Sequence, residues 1–105
     1  MTVEEIVERG GEADDVLRAV VDALHTETAC WVGIAFVEGD RLELGPAAGG
    51  EPPAELQRHA VEWQGAKVAE LQVAGGDPQR LAPLATLIAP FCLVGWDTRG
   101  ESWEP

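Results

Sequence analysis

Two candidate hairpins constrain the fold of this chain more than any other feature. In the first, residues 29–37 alternate between two sets of side chains that are both apolar. A tight connection follows at Glu38-Gly39-Asp40. Polar and apolar residues then alternate in Arg41-Leu42-Glu43-Leu44. Alternation with a period of two predicts β-strands. We therefore expect the first strand to be central and covered on both faces, and the second to be a half-exposed edge strand.

The second hairpin is predicted around the turn Gln64-Gly65. Pairing across this turn sets Glu62 opposite Lys67 and Val61 opposite Val68, which places an opposite-charge pair and a β-branched pair in one register. The register predicts two different faces. One carries Ala69, Leu71 and Val73, and the other carries His59, Val61, Trp63, Val68, Glu70 and Gln72.

Helical patterns flank the hairpins. Thr2-x-x-Glu5 matches a capping box and predicts a short first helix, which Gly10-Gly11 ends. Apolar residues at helical spacing predict a second helix from Glu12 to near His25. Asp77-Pro78 predicts the start of a third, because Asp is a preferred N-cap and Pro is favoured at the first helical position.

Prolines and glycines indicate where regular structure is interrupted. Pro90 is expected to kink the last helix or to end its regular hydrogen bonding. Residues 45–57 carry three prolines and three glycines, so we expect a loop, with one helical turn around residues 54–58.

The predicted order is helix, strand, strand, loop, strand, strand, helix. An antiparallel sheet of four or five strands cannot cover both of its own faces, and the terminal helices have apolar stripes that need a partner. We therefore expect an α+β fold with the N- and C-terminal helices on one face of the sheet. At 105 residues the chain forms one domain with one core, residues 1–11 being an N-terminal segment and residues 96–105 a Trp-rich tail.

The two hairpins resemble those of the GAF domain family. The stretches that carry the resemblance are Trp31-Val32-Gly33-Ile34-Ala35-Phe36-Val37, then Gly39-Asp40-Arg41-Leu42-Glu43-Leu44-Gly45 and Gly49, and finally residues 64–73 with the C-terminal helix. The resemblance implies a GAF/profilin-like sheet whose helix-free face forms a small-molecule pocket. It also implies a signal-sensing or regulatory domain of a kind that often dimerises.

The middle connection departs from the family pattern. Residues 46–58 are shorter than the excursion that GAF domains usually carry there, so a deep, enclosed pocket is not expected. A few stand-alone GAF proteins reduce free methionine sulfoxide with cysteines near this region, where the present chain has none. A thiol-dependent reductase of that type is therefore the third alternative, after a binding module and an interaction domain.

Charge excludes several classes of partner. The chain carries 19 acidic residues against 7 Lys and Arg, a formal charge of -12. Nucleic acids and anionic lipid surfaces require cations on the protein, so neither is expected as a partner. The same charge favours neutral or cationic ligands over anionic ones. The acidic N-terminus is unlike a secretory signal, and a cytoplasmic protein is expected.

No set of residues indicates catalysis, a metal or a cofactor. Ser102, the single serine, has no nearby histidine, and Cys30 and Cys92 lie in apolar runs typical of buried thiols rather than of a disulfide. His25 and His59 are the two histidines and share no ligand set. We expect His59 to face Glu70 as a solvated cross-strand pair.

The face predicted to point away from the helices is the candidate ligand site. It combines aromatic, small and polar side chains, the composition of a shallow binding site. Two alternatives remain open: the middle loop and the Trp96–Trp103 tail fill this face, or a second copy docks on it or on the terminal helices. The predicted ligand-binding residues are Trp31, Gly33, His59, Trp63, Glu70 and Gln72.

Overall fold

The computed structural model describes residues 2–93, and the predicted tail lies outside them. The protein has an α+β fold, and its elements follow the predicted order. They are α1 (Val3–Arg9), α2 (Ala13–Thr28), β1 (Val32–Glu38), β2 (Arg41–Ala48), β3 (Gln57–Trp63), β4 (Ala66–Val73), α3 (Pro78–Ile88) and a final 3-10 turn (Ala89–Cys92).

The four strands form one antiparallel sheet in the order β2-β1-β4-β3. The two hairpins therefore lie side by side with β1 and β4 in the centre. Residues 32–36 of β1 are all buried, which confirms that this strand is central and covered on both faces. Strand β2 is an edge strand, as predicted, but residues 41–44 are all exposed rather than exposed at alternate positions. The part of the chain that the structure describes contains no fifth strand.

The predicted caps of the first and third helices form, whereas α2 continues to Thr28, past its predicted end near His25. The Thr2 hydroxyl accepts a hydrogen bond from the Glu5 amide and the Glu5 carboxylate accepts one from the Thr2 amide, which completes the capping box. The Asp77 carboxylate caps α3 by accepting from the Gln79 amide at 3.0 Å. The α-helical pattern ends at Ile88, and Pro90 lies within the 3-10 turn, where its missing N–H costs least.

The helices cover one face of the sheet and enclose a single apolar core. Alternate residues of β1 and β4 pack against the apolar faces of the three helices. Each helix and each of these strands therefore buries the face on which its apolar residues recur. Full burial of one such side chain contributes about 1.5–3 kcal/mol. The large fully buried side chains include Leu17, Leu24, Ile34, Phe36, Leu71, Leu81, Leu84 and Ile88.

The predicted loop is shorter than expected because β2 continues to Ala48. A register shift opposite β1 lets the strand pass through Gly45 and Pro46. Gly45 is required there, because a Cβ at this position would lie 2.6 Å from the Phe36 ring. The helical turn predicted around residues 54–58 is wrong: β3 begins at Gln57 instead. The middle connection is therefore residues 49–56.

A β-bulge changes the predicted faces of β3. The turn Gln64-Gly65 has positive φ at both residues, the type I′ geometry, and Glu62 pairs with Lys67 as predicted. Val61, however, pairs with Ala69, because Val68 is an extra residue on β4. A shift by one residue exchanges the two faces of the strand. His59, Val61 and Trp63 therefore lie on the helix-bearing side, and their predicted placement on the opposite face is wrong.

Candidate functional site

The sheet face on which residues 2–93 place no helix, called the open face below, is organised in two rows that run across the strands. One row places Gly33 and Gln72 side by side, between Ala47 and Arg58 at the two edges. The next row, from β2 to β3, is Leu44, Ala35, Glu70 and Ala60. Half of these eight residues are Gly or Ala, and the polar groups are concentrated on β4 and β3.

Glu70 is the centre of a buried polar cluster on this face. Its side chain is 8% exposed, and one carboxylate oxygen, Oε1, accepts hydrogen bonds from Arg58 Nη1 at 2.9 Å and from Gln72 Nε2 at 2.8 Å. The other oxygen, Oε2, accepts from Lys67 Nζ at 3.0 Å. Three donors from two strands thus converge on one carboxylate, which we call the Glu70 cluster.

The partners of Glu70 keep it ionised. Burial acts to raise the pKa of this carboxyl, but hydrogen bonds from Gln72, Lys67 and Arg58 stabilise the charged form. The hydrogen bonds prevail, and the pKa of Glu70 lies below its ordinary value. At neutral pH the cluster therefore holds one buried negative charge between two positive ones.

Trp31 occupies part of the space that the sequence suggested for a ligand. Its side chain is buried and its indole N–H donates to the Gly50 carbonyl at 3.0 Å, which attaches the middle connection to the start of β1. A Cβ at Gly33 would lie 2.4 Å from the Trp31 ring. Gly33 thus makes room for the indole. In the row that contains Leu44 and Ala60, these two residues at the edges of the sheet are exposed, while Ala35 and Glu70 between them are buried.

The structure separates the six predicted site residues into two groups. Trp31, Gly33, Glu70 and Gln72 lie together on or beside the open face. His59 and Trp63 do not, because of the bulge described above. The predicted pair of His59 with Glu70 is therefore wrong: His59 pairs with Leu71, and its Nε2 contacts the Gln57 side chain at 3.2 Å.

Sequence reasoning missed Arg58, Ala60 and Lys67 as residues of this face. Arg58 and Ala60 alternate with His59 along β3, so they were excluded by the same register that placed His59 on the open face. Lys67 was considered for its pairing with Glu62 and not for its reach to Glu70. Allowing one extra residue in β4 would have placed Arg58 opposite Gln72.

The cysteines and histidines have structural surroundings. Both cysteines are free thiols, and burial raises the pKa of the Cys92 thiol to about 12, which leaves it unreactive at neutral pH. The imidazole Nδ1 of His25 lies 2.8 Å from the Cys30 carbonyl oxygen, near the end of α2. Within residues 2–93, no group of three or more His, Cys, Asp or Glu side chains could hold a metal ion. Ser102 lies outside this range.

Comparison with known proteins identifies no relative, so a function can be assigned only from the fold and the open face. The chain matches no protein-family model, no curated protein and no solved structure. Among the described residues, no helix has the length and apolar character that crossing a membrane requires.

Proposed function

We propose that this chain is a non-catalytic GAF-like sensor or regulatory module that binds a small neutral molecule on its open face, in the cytoplasm. The observation that carries the proposal is Glu70, a carboxylate more than nine-tenths buried on a sheet face without helices. Burying a charge is costly even when it is paired, and apolar side chains of similar volume often give equal or greater stability. The presence of this cluster supports a binding role for the open face.

Arg58 and Lys67 are the groups that a ligand would meet first. Their side chains are 52% and 41% exposed while each also binds the Glu70 carboxylate. A guanidinium has five N–H donors and an ammonium has three, and the contact with Glu70 uses one of each. The other donors favour a ligand that offers carbonyl or hydroxyl oxygens.

The rest of the open face favours a flat, partly apolar ligand without net charge. Ala35 and Ala60 flank Glu70 with minimal side chains, and Leu44 supplies an apolar surface on the β2 side. The formal charge of -12 repels anions, so an oxyanion such as a phosphate is disfavoured despite the two cations. A neutral ring with hydrogen-bond acceptors can pack on the apolar side chains, accept from Arg58 and Lys67, and avoid repulsion by the net negative charge.

The architecture supports the GAF-like assignment. An antiparallel sheet with both terminal helices on one face is what the resemblance in the two hairpins implies, and it leaves the opposite face for binding. The middle connection of residues 49–56 is bound to Trp31 at one point and is too short to enclose a deep pocket. We therefore propose a shallow site that binds its ligand with modest affinity.

Amide chemical-shift mapping by NMR tests this proposal. Nicotinamide and caffeine serve as neutral probes with acceptor oxygens, choline as a cationic probe and AMP as an anionic one. We expect saturable shifts at Ala35, Ala60 and Glu70 with a neutral probe, and weaker ones with AMP. Ala60→Leu should abolish them, because the larger side chain fills the row beside Glu70.

Ala82→Leu is the matched control, since Ala82 is exposed on α3, away from the sheet. This variant should bind the neutral probes as the unmodified chain does. Absence of saturable shifts with all four probes would contradict the proposal. Shifts at the same amides that depend on protein concentration alone would favour the alternative, an interaction domain that docks another chain on the open face.

A further inference from the structure

Strand β2 forms one edge of the sheet and exposes apolar side chains on the open face. Leu42 and Leu44 are 37% and 49% exposed. On the other side of the strand the charged residues Arg41 and Glu43 are also exposed, and Arg41 Nη2 lies 2.8 Å from Glu43 Oε2. An exposed edge with apolar side chains is a surface on which a further strand can pair.

The backbone of β2 is in the correct phase for such pairing at the leucines. The two-residue turn at Gly39-Asp40 makes Glu38 and Arg41 the first hydrogen-bonded pair of the hairpin. Hydrogen-bonded and non-hydrogen-bonded pairs then alternate along the ladder. Leu42 and Leu44 fall in the second class, so their N–H and C=O groups point away from β1 towards the open edge.

We propose that two copies of this chain form a dimer by antiparallel pairing of their β2 strands, about a two-fold axis at Leu42. The two Leu42 residues lie opposite each other and exchange two backbone hydrogen bonds. Arg41 of each copy then lies opposite Glu43 of the other, so the symmetry creates two identical cross-strand ion pairs. The leucines of both copies form one apolar strip on the continuous open face.

The side chains of β2 select this register over its neighbours. An axis at Glu43 places the two Glu43 carboxylates opposite each other, and like charges in that position are destabilising. An axis at Leu44 places Leu42 opposite Pro46, which has no N–H to donate. The register with the axis at Leu42 avoids both penalties. It also places Arg41 and Glu43 of one copy opposite Glu43 and Arg41 of the other.

The dimer does not depend on ligand binding at the open face, since the ion pairs and the backbone contacts lie at the edge of the sheet. Only the short segment of residues 41–43 pairs, so the interface is small and the affinity is modest. The sequence suggested self-association through the terminal helices or by docking on the open face, whereas here the pairing surface is the edge of β2.

Analytical ultracentrifugation of the full chain, from micromolar to millimolar concentration, tests the dimer. We expect a reversible monomer–dimer equilibrium for the unmodified chain. Arg41→Glu and Glu43→Arg should each weaken dimerisation by about tenfold or more, because each replaces two attractive pairs by two repulsive ones. An equimolar mixture of these two variants should recover the dimer, since the charges on positions 41 and 43 are again complementary between the copies.

Arg18→Glu is the control for Arg41→Glu, because it makes the same change in net charge on an exposed position of α2 and should leave dimerisation unchanged. Leu42→Lys, on the other face of β2, is a second test and should also weaken dimerisation. Circular dichroism verifies that each variant is folded. A monomer at every concentration, a dimer insensitive to Arg41→Glu, or a mixture that stays monomeric would each overturn the proposal.

Discussion

At the scale of single residues, Glu70 shows how a buried charge is tolerated. Its three donors come from Arg58, Lys67 and Gln72, two of them charged, and charge-assisted hydrogen bonds are about twice as strong as neutral ones. A carboxylate left without these donors would cost free energy in the same position. The stability of the open face therefore depends on the ionised form of Glu70.

The pH dependence of stability follows from the lowered pKa of Glu70. Because this pKa is lower in the folded protein than the ordinary value of 4.5, the contribution is complete at neutral pH and above 4.5. It is lost as the pH falls through the folded value. We expect Glu70→Gln to lower the free energy of unfolding by about 1–3 kcal/mol at pH 7, and the difference to shrink towards pH 3. Urea unfolding at each pH measures it.

Glu62→Gln is the control for this prediction, because Glu62 is an exposed carboxylate on the neighbouring strand, opposite Lys67. It should change stability by less than about 0.5 kcal/mol. A difference between Glu70→Gln and the unmodified chain that stays constant from pH 7 to pH 3 would show that the ionised form of Glu70 does not provide the stabilisation.

Arg58 illustrates what residue patterns could not indicate. Residues 57–63 of β3 contain polar and apolar side chains at both parities, so the sequence allows either set to face the helices. Burial of Val61 in the core places the odd-numbered residues of β3 on the helix-bearing side. The β-bulge at Val68 allows β3 to pair with β4 in that orientation. That choice depends on contacts with distant helices, which the local pattern does not contain.

At the scale of elements, Arg80 connects the three helices. From α3 it donates to both Glu27 oxygens on α2, each at 3.0 Å, and to the carboxylate of Glu4 on α1. Hydrogen bonds from Arg80 lower the pKa of both carboxyls. A planar guanidinium can bind two carboxylates at once in this way, whereas a lysine ammonium acts as a point charge.

Replacing Arg80 should loosen the arrangement of the helices. We expect Arg80→Met to lower the free energy of unfolding by about 1 kcal/mol, because the three side chains are partly exposed and solvent screens their attraction. Arg80→Lys should recover only part of this loss. Arg18→Met is the control, since Arg18 forms a longer ion pair with Asp15 at 3.8 Å. Equal stabilities of Arg80→Lys and the unmodified chain would contradict a geometric role for the guanidinium.

The elements themselves were largely predictable. Capping at Thr2 and Asp77 and the turns at Gly39-Asp40 and Gln64-Gly65 are local interactions, and all of them form where the sequence indicates. The end of β2 was not predictable in the same way. Its extension through Gly45 depends on contact with the ring of Phe36, on the neighbouring strand.

At the scale of the whole molecule, net charge opposes compaction. The charge of -12 leaves many acidic side chains without a basic partner, and folding brings them closer together. Salt screens this repulsion, with a Debye length of about 10 Å at 0.1 M. We expect the melting temperature to rise by a few degrees between low and physiological ionic strength, as measured by calorimetry in NaCl.

A variant with less net charge tests the cause. Asp22→Lys, Glu51→Lys and Glu55→Lys together change three exposed acids and bring the formal charge halfway to zero. The response to NaCl should be clearly smaller in this variant. A melting temperature of the unmodified chain that falls with salt would show instead that attractive pairs such as those of Arg80 outweigh the general repulsion.

The sequence alone determined the order of the helices and strands and the α+β architecture, because hydrophobic period, caps and glycine turns act over a few residues. It also determined that β1 is central, since both of its alternating sets are apolar. The tertiary structure decided which side of β3 faces the helices, and with it the replacement of His59 by Arg58 beside Glu70. A β-bulge of one residue in β4 exchanges the two faces of the paired strand β3. Only packing across the whole core determines whether this bulge forms.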